Sequence, residues 1–166
     1  RIIEIIGQMD YSSLLSSKIF RPVSLVETFS YEEIQLGNRR IALPHVWRNG
    51  KWEMQRLSRL TMGYGESSLF SSVADLSLLI KSQFFKKYIK KLRENLEKTV
   101  PRYCMGLFCK AHEESLILSH SGSMPGAMSM LVHVPDKDFS MIYLSNYSPE
   151  HYEPLVAKLM EDSKIL

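Results

Sequence analysis

The apolar and polar positions change rhythm near residue 100. Before it, apolar residues mostly recur at helical spacing; after it they gather in short runs suited to strands. The opening "RIIEII" reads as the tail of a helix closed by Gly7. Asp10 then caps a helix over 11–20, with Tyr11, Leu14, Leu15 and Ile19 on one face and Pro22 ending it. In "SSVADLSLLI", Ser72 caps a helix and Asp75 stands at its third position, a variant capping box, while Leu76, Leu79 and Ile80 turn inward. In "FFKKYIKKLRENLEK", Phe85, Ile89, Leu92 and Leu96 form an apolar stripe opposite Lys86, Lys87, Lys90 and Lys91. Residues 28–68 are weakly patterned apart from "HVWRNGKWEM". There Asn49-Gly50 fits a type I′ hairpin turn, which pairs Trp47 with Trp52.

Beyond residue 100, "YCMGLFCKA", "SLILSH", "AMSMLVHV" and "FSMIYLSN" read as four strands, the last two joined by the tight turn "PDKD". In the fourth run Phe139, Met141 and Tyr143 alternate with Ile142 and Leu144, so both faces ask for cover. Ser148 and Pro149 open a closing helix with Tyr152, Leu155, Val156, Leu159 and Met160 on one stripe. The expected class is α+β: a C-terminal antiparallel meander flanked by helices. Residues 1–166 read as one partial domain. Residues 1–100 are mainly helix and loop with a hairpin near 45–54, and 101–166 form the sheet and the last helix.

Composition narrows the possible functions. The 166 residues are 45% hydrophobic and 23% charged, with a net charge of +3. That balance fits an ordinary globular chain and lacks the basic stripe of a nucleic-acid binder. No apolar run approaches the roughly 18 residues of a membrane helix. The lysine face of the amphipathic helix reads as a solvated surface rather than a membrane anchor. The chain opens on "RIIEIIG" without Met or a signal-peptide pattern, which reads as a piece of something longer. Cys104 and Cys109, read as one extended strand, would stand about 16 Å apart, too far for a disulfide. They read as buried thiols, and C-x4-C offers no metal spacing. Unpaired thiols fit a reducing, cytoplasmic compartment, unless a targeting signal precedes Arg1.

The candidate chemistry lies in "LSHSGSMPGAMSML", residues 118–131. His120 is read as ending a strand, and Gly122 and Gly126 free the backbone around Pro125. An imidazole titrates near neutral pH and can donate, accept or shuttle a proton. With no side chain on Gly122, a ligand can lie along the strand, and the Ser123 N–H can then face a developing oxyanion. His45, His112 and His151 read as surface residues, and His133 as a strand residue.

With its surroundings, this stretch resembles the C-terminal part of the serine β-lactamase and penicillin-binding-protein family, in particular its class C-like and esterase-like branch. "GQMDYSSLLSSKIFRPVSLVET" resembles the segment in which a helix ends in Ile-Phe-x-Pro and leads to a Thr. "SLFSSVADLSLLI" resembles the serine-rich turn and Ala-Asp-Leu helix, and "YCMGLF" the Tyr-Gly-x-Gly-Trp-like strand. "HSGSMPGAMSMLVHVPDKDFSMIYLSN" resembles the His-x-Gly strand, the Pro-Gly turn and the closing hairpin that ends in Leu-Ser-Asn. "ESSLFSS" stands where the family has Gly-Gly, so the loop near Ser67 and Ser68 departs from its pattern.

The resemblance implies an acyl-enzyme hydrolase that acts on an amide, ester or β-lactam carbonyl of a small molecule or peptide, without metal or cofactor. It maps His120, Ser121 and Gly122 onto the third active-site motif. Ser123 would lend a backbone N–H to the oxyanion hole, and Ser121 and Gly122 would line the substrate. The nucleophile motif S-x-x-K is missing: no lysine has a serine three residues before it, and no asparagine a tyrosine two before it. The expectation is a C-terminal half, inactive alone, whose nucleophile lies upstream and whose uncovered sheet pairs with the missing half or self-associates. The alternative is a non-catalytic binding or scaffold module of the same fold.

Overall fold

The computed structural model describes residues 2–35, 37, 40–57, 65, 67–96, 102–112, 114–147, 158 and 161. In chain order its helices are α1 (Ile2–Gly7), α2 (Tyr11–Leu15), α3 (Arg21–Val23), α4 (Tyr31–Gln35), α5 (Val73–Lys81) and α6 (Gln83–Asn95). The strands are β1 (Phe29–Ser30), β2 (His45–Arg48), β3 (Lys51–Met54), β4 (Leu69–Phe70), β5 (Arg102–Cys104), β6 (Leu107–His112), β7 (Ser115–Met124), β8 (Ala127–Val134) and β9 (Phe139–Ser145). The chain divides into two units, 1–42 with 56–98, and 43–55 with 99–166. The closing helix expected from Ser148 onward lies outside the described residues, apart from helical Lys158 and Glu161.

In the first unit the helix starts follow their caps. Asp10 Oδ1 accepts from the Ser13 N–H at 2.9 Å, Ser72 Oγ from Asp75 at 3.1 Å and Ser82 Oγ from Phe85 at 3.1 Å. Pro22 does not end its helix. A π-helical stretch, Ser16–Phe20, precedes it, and the Arg21 N–H reaches back five residues to Ser16. The widened turn relieves the clash between a proline ring and the carbonyl four residues back. The run stops only at Ser24, left-handed at φ 63°. Leu15, Phe20 and Leu25 form its core with Tyr11, Ile19, Val23 and Leu79 around them. On α6 Phe85, Ile89 and Leu92 of the expected stripe are buried, while Leu96 lies past the helix end and is half-buried.

The capping box at Ser72 is only half made. The buried Asp75 carboxylate accepts instead from the Glu27 N–H at 2.8 Å and the Thr28 hydroxyl at 2.7 Å. Charge-assisted bonds of this kind tie α5 to the segment before β1. Antiparallel β1 and β4 lie beside it, with Phe29 stacked on Phe70.

In the second unit β5–β9 form one antiparallel meander in sequence order. "YCMGLFCKA" is a hairpin and not one strand, because Met105 and Gly106 turn at φ 51° and 90°. Positive φ at both turn positions matches the right-handed twist of the strands they join. The 16 Å separation of the two cysteines therefore fails: Cys104 and Cys109 sit on adjacent strands, and both are free thiols. Burial, and Cys104 next to it, push the Cys109 thiol's pKa up. Asn49 and Gly50 take φ 49° and 78°, and Trp47 faces Trp52 with rings 5.2 Å apart, as the sequence predicts. Tyr147 adds a third ring, 5.5 Å from Trp52. Ile117, Val132 and Val134 form a core with Met130, Phe139 and Met141 against it.

His133 is buried in β8, and its Nδ1–H donates to the Phe139 carbonyl at 3.0 Å and Ser140 Oγ at 2.9 Å. Burial lowers its pKa from the ordinary 6.5; the Phe139 carbonyl, Asp138 and Asp136 pull the other way without prevailing. Below about pH 6.5 the unfolded chain takes up a proton that the folded chain refuses. Stability is thus complete above that pH and is lost as pH falls toward the depressed folded value. The melting temperature should drop between pH 7.5 and 5, and less so in His133→Asn; equal drops in both proteins would remove His133 as the cause.

Candidate functional site

The residues singled out at 120–123 lie within β7, not after it. β7 continues to Met124 and turns through Pro125 and Gly126 into β8, so His120 does not end its strand. Proline followed by glycine at φ 80° is the pattern of a type II turn. The hydroxyls and the proline in this stretch therefore belong to a long hairpin rather than a loose loop.

The two ladders of β7 have different lengths. Toward β8, pairing runs from Leu118↔His133 to Met124↔Ala127. Toward β6 it runs from His112↔Ser115 and stops at Phe108↔Ser119. Among the described residues, no strand pairs with His120–Ser123 on the β6 side. Alternation fixes which amides face that gap. The Leu116 N–H donates to Asp136, in the turn after β8, at 3.0 Å. Even-numbered N–H groups of β7 thus face β8, and those of Ser121 and Ser123 face the open edge.

Side chains alternate as well. His120 and Gly122 share one face, and Ser121 and Ser123 the other. The strand thus brings the imidazole, the bare Cα of Gly122 and the Ser123 amide together. The Ser121 side chain stands on the opposite face; only its N–H joins the edge. A Cβ on Gly122 would lie 2.8 Å from Ser129 Oγ on the paired strand, so glycine keeps that patch low.

His120 is exposed, not packed into a core. Its Nε2 lies 3.2 Å from the Tyr103 hydroxyl. Phe108 completes a cluster, with rings 4.9 Å from Tyr103 and 5.9 Å from His120. Tyr103 and Phe108 are 58% and 53% exposed, so this is a surface of three rings at the end of β6. The sequence reading missed both partners of His120. The clue was Gly106: a turn there folds Tyr103 back opposite Phe108, with its hydroxyl within reach of His120, whereas a single strand carries it away. Among the described residues, no cluster of three His, Cys, Asp or Glu side chains is arranged to hold a metal.

The structure is similar to two solved penicillin-binding proteins. The octameric homologue from Pyrococcus abyssi matches with a TM-score of 0.73 at 20% identity, over 96% of this chain and 40% of that one. The penicillin-binding protein from Bacillus halodurans matches with a TM-score of 0.75 at 15% identity, over 96% of this chain and 52% of that one. The fold is that of penicillin-binding proteins, and the chain spans about half or less of their length. No protein-family model and no curated protein matches the chain.

Proposed function

We propose that the chain is the His-x-Gly half of a β-lactamase-like serine hydrolase of the class C-like and esterase-like branch. One observation carries this reading: an exposed imidazole, a bare glycine and an outward-facing amide lie within residues 120–123, on a strand edge left open among the described residues. A substrate strand can pair along that edge through main-chain hydrogen bonds. Its scissile carbonyl then meets the Ser123 N–H, which stabilises charge growing on oxygen as a hydroxyl attacks. His120 helps move the proton that leaves that hydroxyl. The acyl-enzyme is then hydrolysed by water.

The attacking serine comes from outside these 166 residues, in an S-x-x-K whose lysine assists its deprotonation. The chain alone is then inactive. Covalent labelling of the protein that carries this chain together with that serine, by a penicillin or a fluorophosphonate and with the modified residue located by mass spectrometry, tests the reading. Failure to label any serine favours the alternative, a binding module that retains the edge and lacks the nucleophile.

Self-association belongs to the same proposal. Ile2, Ile5 and Ile6 on α1 are 73%, 67% and 77% exposed, an apolar patch that would be covered by the missing half or by a second copy of the chain. A similar structure is described as octameric, which supports the second copy. Sedimentation velocity should show an oligomer that Ile2→Ser, Ile5→Ser and Ile6→Ser together dissociate; a wild-type monomer at all concentrations would refute it.

A further inference from the structure

We propose that Tyr103 is a positioning residue that fixes the tautomer of His120. The inference rests on the hydrolase reading and specifies how its imidazole is presented. Tyr103 Oη and His120 Nε2 are 3.2 Å apart, within hydrogen-bond reach. A neutral imidazole carries one N–H and one bare nitrogen, and the partner of each nitrogen decides which is which. The phenolic O–H is a good donor and imidazole nitrogen a good acceptor, so Tyr103 donates and Nε2 accepts. The ring proton then resides on Nδ1. His120 consequently presents an N–H donor to whatever occupies the open edge, and its basic nitrogen is held by the phenol.

The surroundings keep this pair aligned. Phe108 packs edge-on against the Tyr103 ring, at an interplanar angle of 66°. Tyr103 is anchored opposite Phe108 by the β5–β6 register. The short β6 leaves the edge beside His120 open, so the imidazole can reach the phenol across it. For His120 to take a proton from the edge, the phenolic oxygen accepts that proton as its own passes to Nε2, so the phenol stays neutral and Nε2–H then donates to its oxygen. Tyr103 is thereby also a stop in any proton path through His120.

Long-range 15N–1H correlation spectra of the His120 ring test this directly, on the 166-residue chain and without substrate. The wild-type ring should be mainly the Nδ1–H form. In Tyr103→Phe, which keeps the ring and removes the hydroxyl, the population should move toward Nε2–H by about 2- to 10-fold, the worth of one neutral hydrogen bond. Phe108→Leu, which keeps the hydroxyl, should leave the tautomer in place. A wild-type ring in the Nε2–H form overturns the proposal, as does an unchanged population in Tyr103→Phe or an equal shift in Phe108→Leu. None of these outcomes depends on whether a serine is acylated, so this inference and the hydrolase reading fail separately.

Discussion

His120→Ala should slow covalent labelling of the protein that carries both this chain and its nucleophilic serine by about 10²–10⁴-fold, the usual worth of a positioned proton-transfer group. The loss should fall on the acylation rate more than on probe affinity. On the proposed reading the imidazole acts on a proton in flight, whereas affinity comes largely from pairing along β7. Circular dichroism should show the variant as folded as the parent, because the ring is exposed and belongs to none of the core clusters among the described residues. The mass of the labelled peptide should identify the serine of an S-x-x-K. Wild-type labelling rates in His120→Ala would sink the assigned role of His120, and a probe that labels no serine would sink the hydrolase reading as a whole.

That expectation comes from unequal ladders. β7 is longer than β6, so one stretch of it has, among the described residues, a neighbouring strand on one side and none on the other. Edge strands usually invite non-specific pairing and are blunted by charge, proline or brevity. Here the exposed stretch is short and ends at the Pro125 turn. An aromatic cluster stands at its other end. Those limits confine an incoming strand to a few residues, the scale of a small peptide rather than a sheet.

The parts legible in the sequence were those fixed by neighbours in the chain. Asn49-Gly50 dictates its hairpin because both residues tolerate positive φ, and the turn then forces Trp47 opposite Trp52. Asp10, Ser72 and the Phe85, Ile89 and Leu92 stripe are likewise local signals. The meander was legible from alternation, but its first turn was not. Met105 occupies a left-handed position that unbranched apolar residues seldom take, which left Gly106 as the only mark. That misreading hid Tyr103 and Phe108 from His120 and separated the two cysteines. Pro22 misled for a different reason: a π turn, which no local pattern announces, absorbs it. The Asp75 carboxylate was read as a local cap because its true donors, Glu27 and Thr28, lie more than 40 residues away.

Gly126→Val should be the most destabilising single change in the second unit. Gly126 sits at φ 80°, and a Cβ there would lie 2.7 Å from His45 N and 3.0 Å from His45 C and O. All three atoms are backbone, so no side chain can swing aside. The strand β2 starts at this contact: the His45 N–H donates to the carbonyls of Gly126 at 3.1 Å and Asn146 at 2.8 Å. Asn146 Nδ2 returns a bond to the Leu43 carbonyl at 3.1 Å. A β-branched side chain costs about 1–3 kcal/mol for the left-handed backbone and about 1–3 kcal/mol more for overpacking. At about 2–4 °C per kcal/mol, the melting temperature should fall by roughly 5–20 °C. Gly50→Val isolates the first part of that cost, since Gly50 is also left-handed, at φ 78°, but has nothing within 4 Å of its would-be Cβ. The chain's two tryptophans, Trp47 and Trp52, both lie on the hairpin that begins at His45, so their fluorescence reports its docking. Gly126→Val should shift that emission toward solvent-exposed values at temperatures where Gly50→Val does not. If the two variants melt together, the close approach of His45 to the turn contributes nothing, and only backbone strain remains at Gly126.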